Sequence, residues 1–395
     1  MFALPRKQEF LGRMKRFQRR LEKEDIDVAI LVQKVDLYYL SGVDRDAQLC
    51  VPAVAPAAVI VQKELEHVRS CSAIENIVEL TTLSSLHDAV LEQLGQEPRK
   101  LGLELDILPI NRYQVYQKVF SDADIVDVSP LIREIRMVKS AYEIARIQKA
   151  AEMADSMFAQ VPLYLQEAET EMELATRVEF YYRSKGHPGI IRTRSFNSEA
   201  FYGHLMSGKN AALPSSSLGP TGGKGAGPFY SQGASREKIG RHEPILIDYA
   251  ANVEGYISDQ TRIFSIGTLD EKYQKAHEIM VRLQDTLAET GKPGVRSGDL
   301  YDLAQKIIGK SRLKEGFMGY PDPVRFVGHG VGLELDEWPI IAARSDTILD
   351  EGMVLAIEPK VVFPGEGVVG IENTFVVTTQ GMKKLNRFPD EICIC

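Results

Sequence analysis

No stretch of the sequence stays apolar for the roughly 18 residues that a membrane-spanning helix requires, so no membrane is expected as a partner. A basic excess is also missing. Forty-seven Lys and Arg stand against 55 Asp and Glu, and the net charge of -8 excludes the broad nucleic-acid affinity that a basic face would give. Cysteine is scarce. Cys50, Cys71, Cys393 and Cys395 have no zinc-finger spacing, and disulfides are not expected. The alternation of Cys393 and Cys395 with Ile392 and Ile394 predicts a terminal strand with two same-side thiols. The first residues, MFALPRKQEF, turn charged before a signal-peptide core could form, which makes the cytoplasm the expected location. No internal repeat of solenoid period is visible.

What remains is globular: 44% hydrophobic and 26% charged over 395 residues, a length that predicts two domains or three. Residues 7–25 read as a helix with apolar positions at Phe10, Met14, Phe17 and Leu21. Apolar runs at 27–32, 57–61 and 101–104 alternate with helical segments, which suggests a small α/β domain. Tyr38 and Tyr39 read as packing residues. Helices follow at 140–159 and 168–185, then a mixed, strand-like stretch at 187–205. Residues 214–235, PSSSLGPTGGKGAGPFYSQGAS, have no hydrophobic period and must form a loop. Its GGKGAG core is not a phosphate-binding loop, because no Ser or Thr follows the lysine and the earlier glycine is absent. A mobile lid is the expectation. Strands at 244–250 and 256–264, helices at about 270–290 and 297–309, and a strand-rich end from 325 complete the chain.

The chemistry concentrates in that last third. In ILIDYAANVEGYISDQTRIF, Asp248 and Asp259 lie equally far from Val253–Glu254. A hairpin turning there would oppose the two carboxylates, with Cβ atoms about 4.5–5.5 Å apart. In VLAIEPKVVFPGEGVVGIENTFVV, Glu358 and Glu372 are equidistant from Gly365. Opposed carboxylates on apolar strands repel unless a cation lies between them. His329, in VGHGVGLELDEWP, has glycines on both sides, which are expected to give room at its imidazole, a common metal ligand. Four carboxylates and one imidazole carry about four negative charges, which two divalent ions balance; the donor set suits Mn, Co, Fe or Zn without selecting among them. Each residue alone has an ordinary reading as a solvated acid or a structural histidine.

These stretches, together with AIEPK, GIENTFVVT, REIRMVKSAYEIARIQKAAEMAD and VDLYYLSGV, resemble the creatinase/methionine aminopeptidase superfamily, most closely its Xaa-Pro aminopeptidase and prolidase branch. The resemblance covers nearly the whole chain. It implies an α+β protein: a creatinase-like N-terminal α/β domain over 1–136, then a catalytic domain over 137–395 with the pita-bread fold, a curved antiparallel sheet backed by helices. It implies metal ligation by Asp248, Asp259, His329, Glu358 and Glu372, with Glu358 also taking the proton of the attacking water. It further implies two divalent ions, a short-peptide substrate, and a homodimer in which the N-terminal domains help shape the active-site entrance.

The sequence departs from the branch at three accessory positions. Where a histidine is usual after the segment resembling SGKNAALP, this chain has Ser215. Where a second histidine is usual seven residues after the ligand histidine, it has Asp336. Where an arginine often precedes the last glutamate by two residues, it has Gly370. Asp336 and His204 are therefore candidates for binding the substrate amine or moving a proton, against the ordinary readings of a surface aspartate and a strand histidine. Three functions compete: an Xaa-Pro-type metallopeptidase, a non-peptidase metalloenzyme such as a C–S lyase or small-molecule amidohydrolase, and a non-catalytic binding protein.

Overall fold

The computed structural model describes residues 7–200, 202–215, 219–309 and 311–395. The chain divides into two compact units, Met1–Arg136 and Met137–Cys395. Among the described residues no helix is long and apolar enough to cross a membrane.

The first unit is built on a six-stranded sheet. Its order runs Ile77–Glu79, Ala58–Val61, Ala47–Pro52, Val28–Leu31, Lys100–Leu103, Asp124–Asp127. Val28–Leu31 lies at the centre, antiparallel to Ala47–Pro52 and parallel to Lys100–Leu103. Helices cover both faces, so Val28, Ala29, Ile30 and Leu31 are all buried and the strand reads as a continuous apolar run rather than an alternation. The helix Lys7–Lys23 buries Phe10, Met14, Phe17 and Leu21, the stripe that its spacing predicts. It also buries Arg13, whose guanidinium stacks on Tyr39 at 4.4 Å and donates to the Tyr39 carbonyl. Tyr39 is thus a packing residue with a second use.

The second unit has one long hairpin at its centre, Ile245–Val253 with Tyr256–Ser265, flanked by Gly203–Ser207 on one side and by Cys393–Ile394 on the other. A five-stranded antiparallel sheet runs in the order Glu337–Ala342, Phe326–Gly330, Val354–Ile357, Asn373–Thr378, Gly381–Lys384. The hairpin packs two ways. Ile245, Ile247, Tyr249, Ala251 and Phe264 meet the helices Ala141–Phe158 and Glu171–Ser184, while Leu246 and Ile263 join the core under Glu271–Thr290 and Ser297–Ile308. Ser140 and Thr170 start their helices as N-caps in reciprocal capping boxes with Glu143 and Glu173. The stretch 187–205 is not a strand through most of its length; only Gly203–Ser207 pairs. The terminal strand exists but is short, pairing in parallel with Phe264 and Ser265, and all four cysteines are free.

His187, in that irregular stretch, is a buried clamp. Its Nδ1 accepts the Gly189 N–H at 3.0 Å, which leaves Nε2–H to donate to the Ala250 carbonyl at 3.2 Å. Ala250 pairs across the hairpin with Asp259, so the clamp holds the strand opposite a candidate ligand. Burial pushes the imidazole down from its ordinary 6.5 to about 4. Between those values the unfolded chain binds the extra proton, so the stabilisation is complete above pH 6.5 and is lost as pH falls towards 4. In a His187→Phe variant, the stability deficit measured by urea unfolding is therefore largest near pH 7, on the order of 2–3 kcal/mol, and shrinks towards pH 4. A deficit that does not vary with pH would show that the imidazole is not held neutral.

Candidate metal centre

The hairpin turns one residue later than its sequence symmetry predicts. Glu254 and Gly255 form a two-residue turn with φ of 54° and 90°, a conformation that glycine favours, and Val253 pairs with Tyr256. The register then sets Asp248 opposite Thr261 and Asp259 opposite Ala250. The two aspartates are diagonal neighbours on one face rather than directly opposed. The second pair keeps its predicted symmetry. Lys360–Phe363 pairs with Gly367–Gly370, and Val354–Ile357 with Asn373–Thr378, in one continuous register. Glu358 and Glu372 face each other where that ladder is interrupted. Glu358 N–H instead donates to the Val327 carbonyl, and Glu372 bridges to Thr261 of the long hairpin.

His329 comes from Phe326–Gly330, next to Val354–Ile357. Its flanking glycines serve the sheet rather than the imidazole. A Cβ at Gly328 would stand 2.5 Å from the Ala356 carbonyl oxygen, and one at Gly330 2.2 Å from that of Trp338. Nδ1 lies 3.2 Å from the Gly330 carbonyl. Donation there leaves Nε2 bare towards the acids, the tautomer a metal ligand needs.

The five side chains converge. His329 Nε2 lies 3.6 Å from Glu358 Oε1, 3.8 Å from Glu372 Oε1 and 4.0 Å from Asp259 Oδ2. Ligand atoms of Asp259, His329 and Glu372 all fall within 4.8 Å of one another, a spacing that could hold an ion. Glu372 Oε1 is buried and, among the described residues, has no hydrogen-bond partner. A buried acceptor of that kind is costly unless a cation meets it. Burial, and then the neighbouring Asp248 charge, push the Asp259 carboxyl up to about 7. Burial, and then Asp259, push Glu372 well above the usual carboxylate range. This donor set and its electrostatics fit a divalent ion.

One group of the cluster escaped the sequence reading. Lys360 is fully buried, and its Nζ lies 3.1 Å from Asp248 Oδ2, 2.7 Å from Glu358 Oε2 and 2.9 Å from Glu372 Oε2. Burial alone would drive its proton off, but these three carboxylates hold the pKa well above the ordinary lysine value. Burial likewise pushes Asp248 up, yet Lys360 and His204 keep it below the usual range. The signal was present in AIEPK, where a lysine stands two residues after a glutamate on an apolar strand.

The accessory candidates separate. His204 pairs directly with Asp248 across neighbouring strands and so shares its face. Burial pushes its imidazole below the ordinary value, and its ring lies 3.3 Å from Gln232 Nε2. Gln232 brings the Gly-rich loop to this side, and Ser215 Oγ lies 3.5 Å from Gln232 Oε1. Asp336 is engaged elsewhere. Its carboxylate accepts the Arg194 and Ser195 N–H groups, both at 2.8 Å, and the Ser195 hydroxyl at 2.5 Å. That geometry positions the 194–195 backbone. The loop expected as a mobile lid is held at Lys224 and Ser235; residues 216–218 lie outside the described residues. Fully buried Glu171 accepts from Ser207, Asn210 and Ser235, and Asn210 in turn accepts the Lys224 N–H at 2.7 Å.

Behind the cluster stands Arg262, buried and with its donors distributed. It reaches the carbonyls of Thr261, Glu372, Phe388 and Pro389, the Asn373 side chain and Asp390, all at 2.7–3.0 Å. Thr374 Oγ accepts the Asp259 N–H, and Thr261 Oγ donates to Glu372 Oε2.

Residues 145–379 match the profile of Metallopeptidase family M24, and residues 13–138 that of the Creatinase/Prolidase N-terminal domain. The Xaa-Pro dipeptidase of Pyrococcus horikoshii is 29% identical over 372 residues, 94% of this chain and 96% of that protein. The crystal structure of the prolidase from Pyrococcus horikoshii superposes with a TM-score of 0.79 at 28% identity, covering 96% of this chain and 99% of the other. The Xaa-Pro dipeptidase from Bacillus anthracis gives 0.82 at 25% identity, covering 98% and 100%. The second unit is thus a pita-bread domain preceded by a creatinase-type unit.

Because Arg262 orients the backbone that carries Glu372, Arg262→Lys, which lacks the planar fork, is expected to cost about 3 kcal/mol in chemical denaturation. The same change should weaken divalent-ion binding by about ten- to a hundredfold in calorimetric titration. Unchanged ion affinity would show that the strut does not orient the site.

Proposed function

Because the chain belongs to metallopeptidase family M24, we propose that it hydrolyses short peptides with proline at the second position, with Asp248, Asp259, His329, Glu358 and Glu372 as metal ligands. The observation that supports this most is the convergence of three carboxylates on His329 Nε2, one of which, Glu372, has a buried Oε1 with no hydrogen-bond partner among the described residues. Xaa-Pro dipeptidases among the relatives, matched over nearly their full length, support the substrate class.

Divalent ions held here would lower the pKa of a water and polarise a scissile carbonyl. The protein's own groups do the rest. Glu358, with one oxygen towards His329 and the other on Lys360, accepts the proton of the attacking water and passes it to the leaving amine. His204, cross-strand from Asp248, supplies a donor to the oxygen that gains charge. We assign Asp336 a positioning role, because Arg194 and Ser195 take its oxygens. Full loading is read as two ions, drawn from Mn, Co, Fe or Zn on the donor set, and the working unit as a homodimer on the family resemblance.

A second reading, cleavage of a C–S bond or of a small amide on the same scaffold, draws support from Ser215, Asp336 and Gly370, where the branch usually has two histidines and an arginine. Metal content followed by assays of Xaa-Pro dipeptides and tripeptides with Mn, Co and Zn separates the two. The peptidase reading expects turnover that requires metal and drops by about 10²–10⁴ in Glu358→Gln. A fully loaded protein that cleaves no such peptide would turn the assignment to the second reading.

A further inference from the structure

The carboxylates of Glu358 and Glu372 each face two ways. Their Oε1 atoms look towards His329 Nε2, at 3.6 and 3.8 Å, with Asp259 Oδ2 at 4.0 Å. Their Oε2 atoms meet the Lys360 ammonium at 2.7 and 2.9 Å, with Asp248 Oδ2 at 3.1 Å. The acids therefore surround two positions suited to a positive charge. The first has the imidazole and the unpartnered Glu372 oxygen. The second already contains a charge, covalently tethered to the chain. Lys360 reaches that place because the residue paired with it across the strands is Gly370. A Cβ at 370 would stand 2.6 Å from the Lys360 Cα and 2.7 Å from its Cγ. The Pro359 carbonyl oxygen would also stand 2.6 Å from that Cβ, so position 370, where the branch often has an arginine, has no room for a side chain against the backbone and stem of Lys360.

We propose that Lys360 is a built-in cation at the second position of this centre, so that the chain binds one divalent ion tightly beside His329 and admits another only in competition with the ammonium. The inference rests on reading the five residues as a metal centre. An ion at that second position would take the same three oxygens at about 2.0–2.2 Å, and the ammonium already occupies their point of convergence. Displacing it leaves a buried lysine without its partners, which is a large penalty. Entry of the second ion thus requires the Lys360 side chain to move, whereas the first needs no displacement.

The test is metal stoichiometry, which is independent of turnover. The metal-free full-length chain is titrated with Mn²⁺ by calorimetry, with elemental analysis after dialysis. Mn²⁺ electron paramagnetic resonance at two equivalents distinguishes isolated from exchange-coupled ions. The wild type is expected to retain one ion and to bind a second at least about a hundredfold more weakly, the scale set by breaking a buried ion pair. Lys360→Met, of similar volume, should retain two ions with affinities within about tenfold and show coupling, since the competing charge is gone. Lys360→Gln, which keeps a polar head without the charge, should behave in the same way. If Lys360→Met does not fold, the wild-type titration and Lys360→Gln decide. Two equally tight, coupled ions in the wild type overturn the proposal, as does a single ion in a folded Lys360 variant. No ion in any form would instead overturn the metal-centre reading itself.

Discussion

Four carboxylates, one of them only 1% exposed, share a region a few ångströms across, and their repulsion is the constraint around which the second unit is organised. Burial raises the free energy of each anion, and proximity raises it further. The fold meets this load from several directions. Lys360 neutralises one side. Arg262 backs Glu372 and Asn373 from behind, its own pKa lowered by burial to about 10. Thr261 and Thr374 fix the orientation of Glu372 and the Asp259 backbone. The apolar cores on both sides of the hairpin leave these strands few alternative positions. What stays unbalanced lies beside His329, where Asp259 and Glu372 have raised pKa values and one oxygen has no partner. That unmet acceptor capacity is what a cation would satisfy.

Much of this was legible in the sequence because strand patterns are local. Glu358 and Glu372 follow from counting outwards from a Pro-Gly turn, and the structure keeps that register. The hairpin carrying Asp248 and Asp259 was legible as a hairpin but not in register. Symmetry about Val253–Glu254 competed with the glycine that turns the chain, and the turn chemistry of Gly255 prevailed, shifting the partner of Asp248 to Thr261. The long helices were readable from caps and apolar stripes, whereas 187–202 was not. There the chain is fixed by side-chain clamps such as His187 on Ala250, which have no periodicity. Asp336 was a candidate because the resemblance puts it seven residues after His329, but its partners lie some 140 residues away in sequence, and only the folded chain shows them.

Lys360 and Gly370 change the meaning of the departures from the branch. Read one at a time, a lost arginine and two absent histidines look like decay of a substrate site. In the folded chain Gly370 lies beside a lysine that enters the carboxylate cluster, so a positive group reaches the acids from the adjacent strand. The four carboxylates stay clustered, and Lys360 supplies part of their charge balance. Ser215 and His204 fit the same pattern, since both meet Gln232 of the Gly-rich loop, which Glu171 holds down from below.

The contact between positions 360 and 370 also restricts the order in which this sequence could change. A side chain cannot grow at 370 while the two strands lie as they do, because its Cβ would stand 2.6 Å from the Lys360 Cα, 2.6 Å from the Pro359 carbonyl oxygen and 2.7 Å from the Lys360 Cγ. The backbones must part as well as the lysine retract, and a chain that has lost the lysine on the way has four clustered acids without the ammonium. The two positions are therefore epistatic.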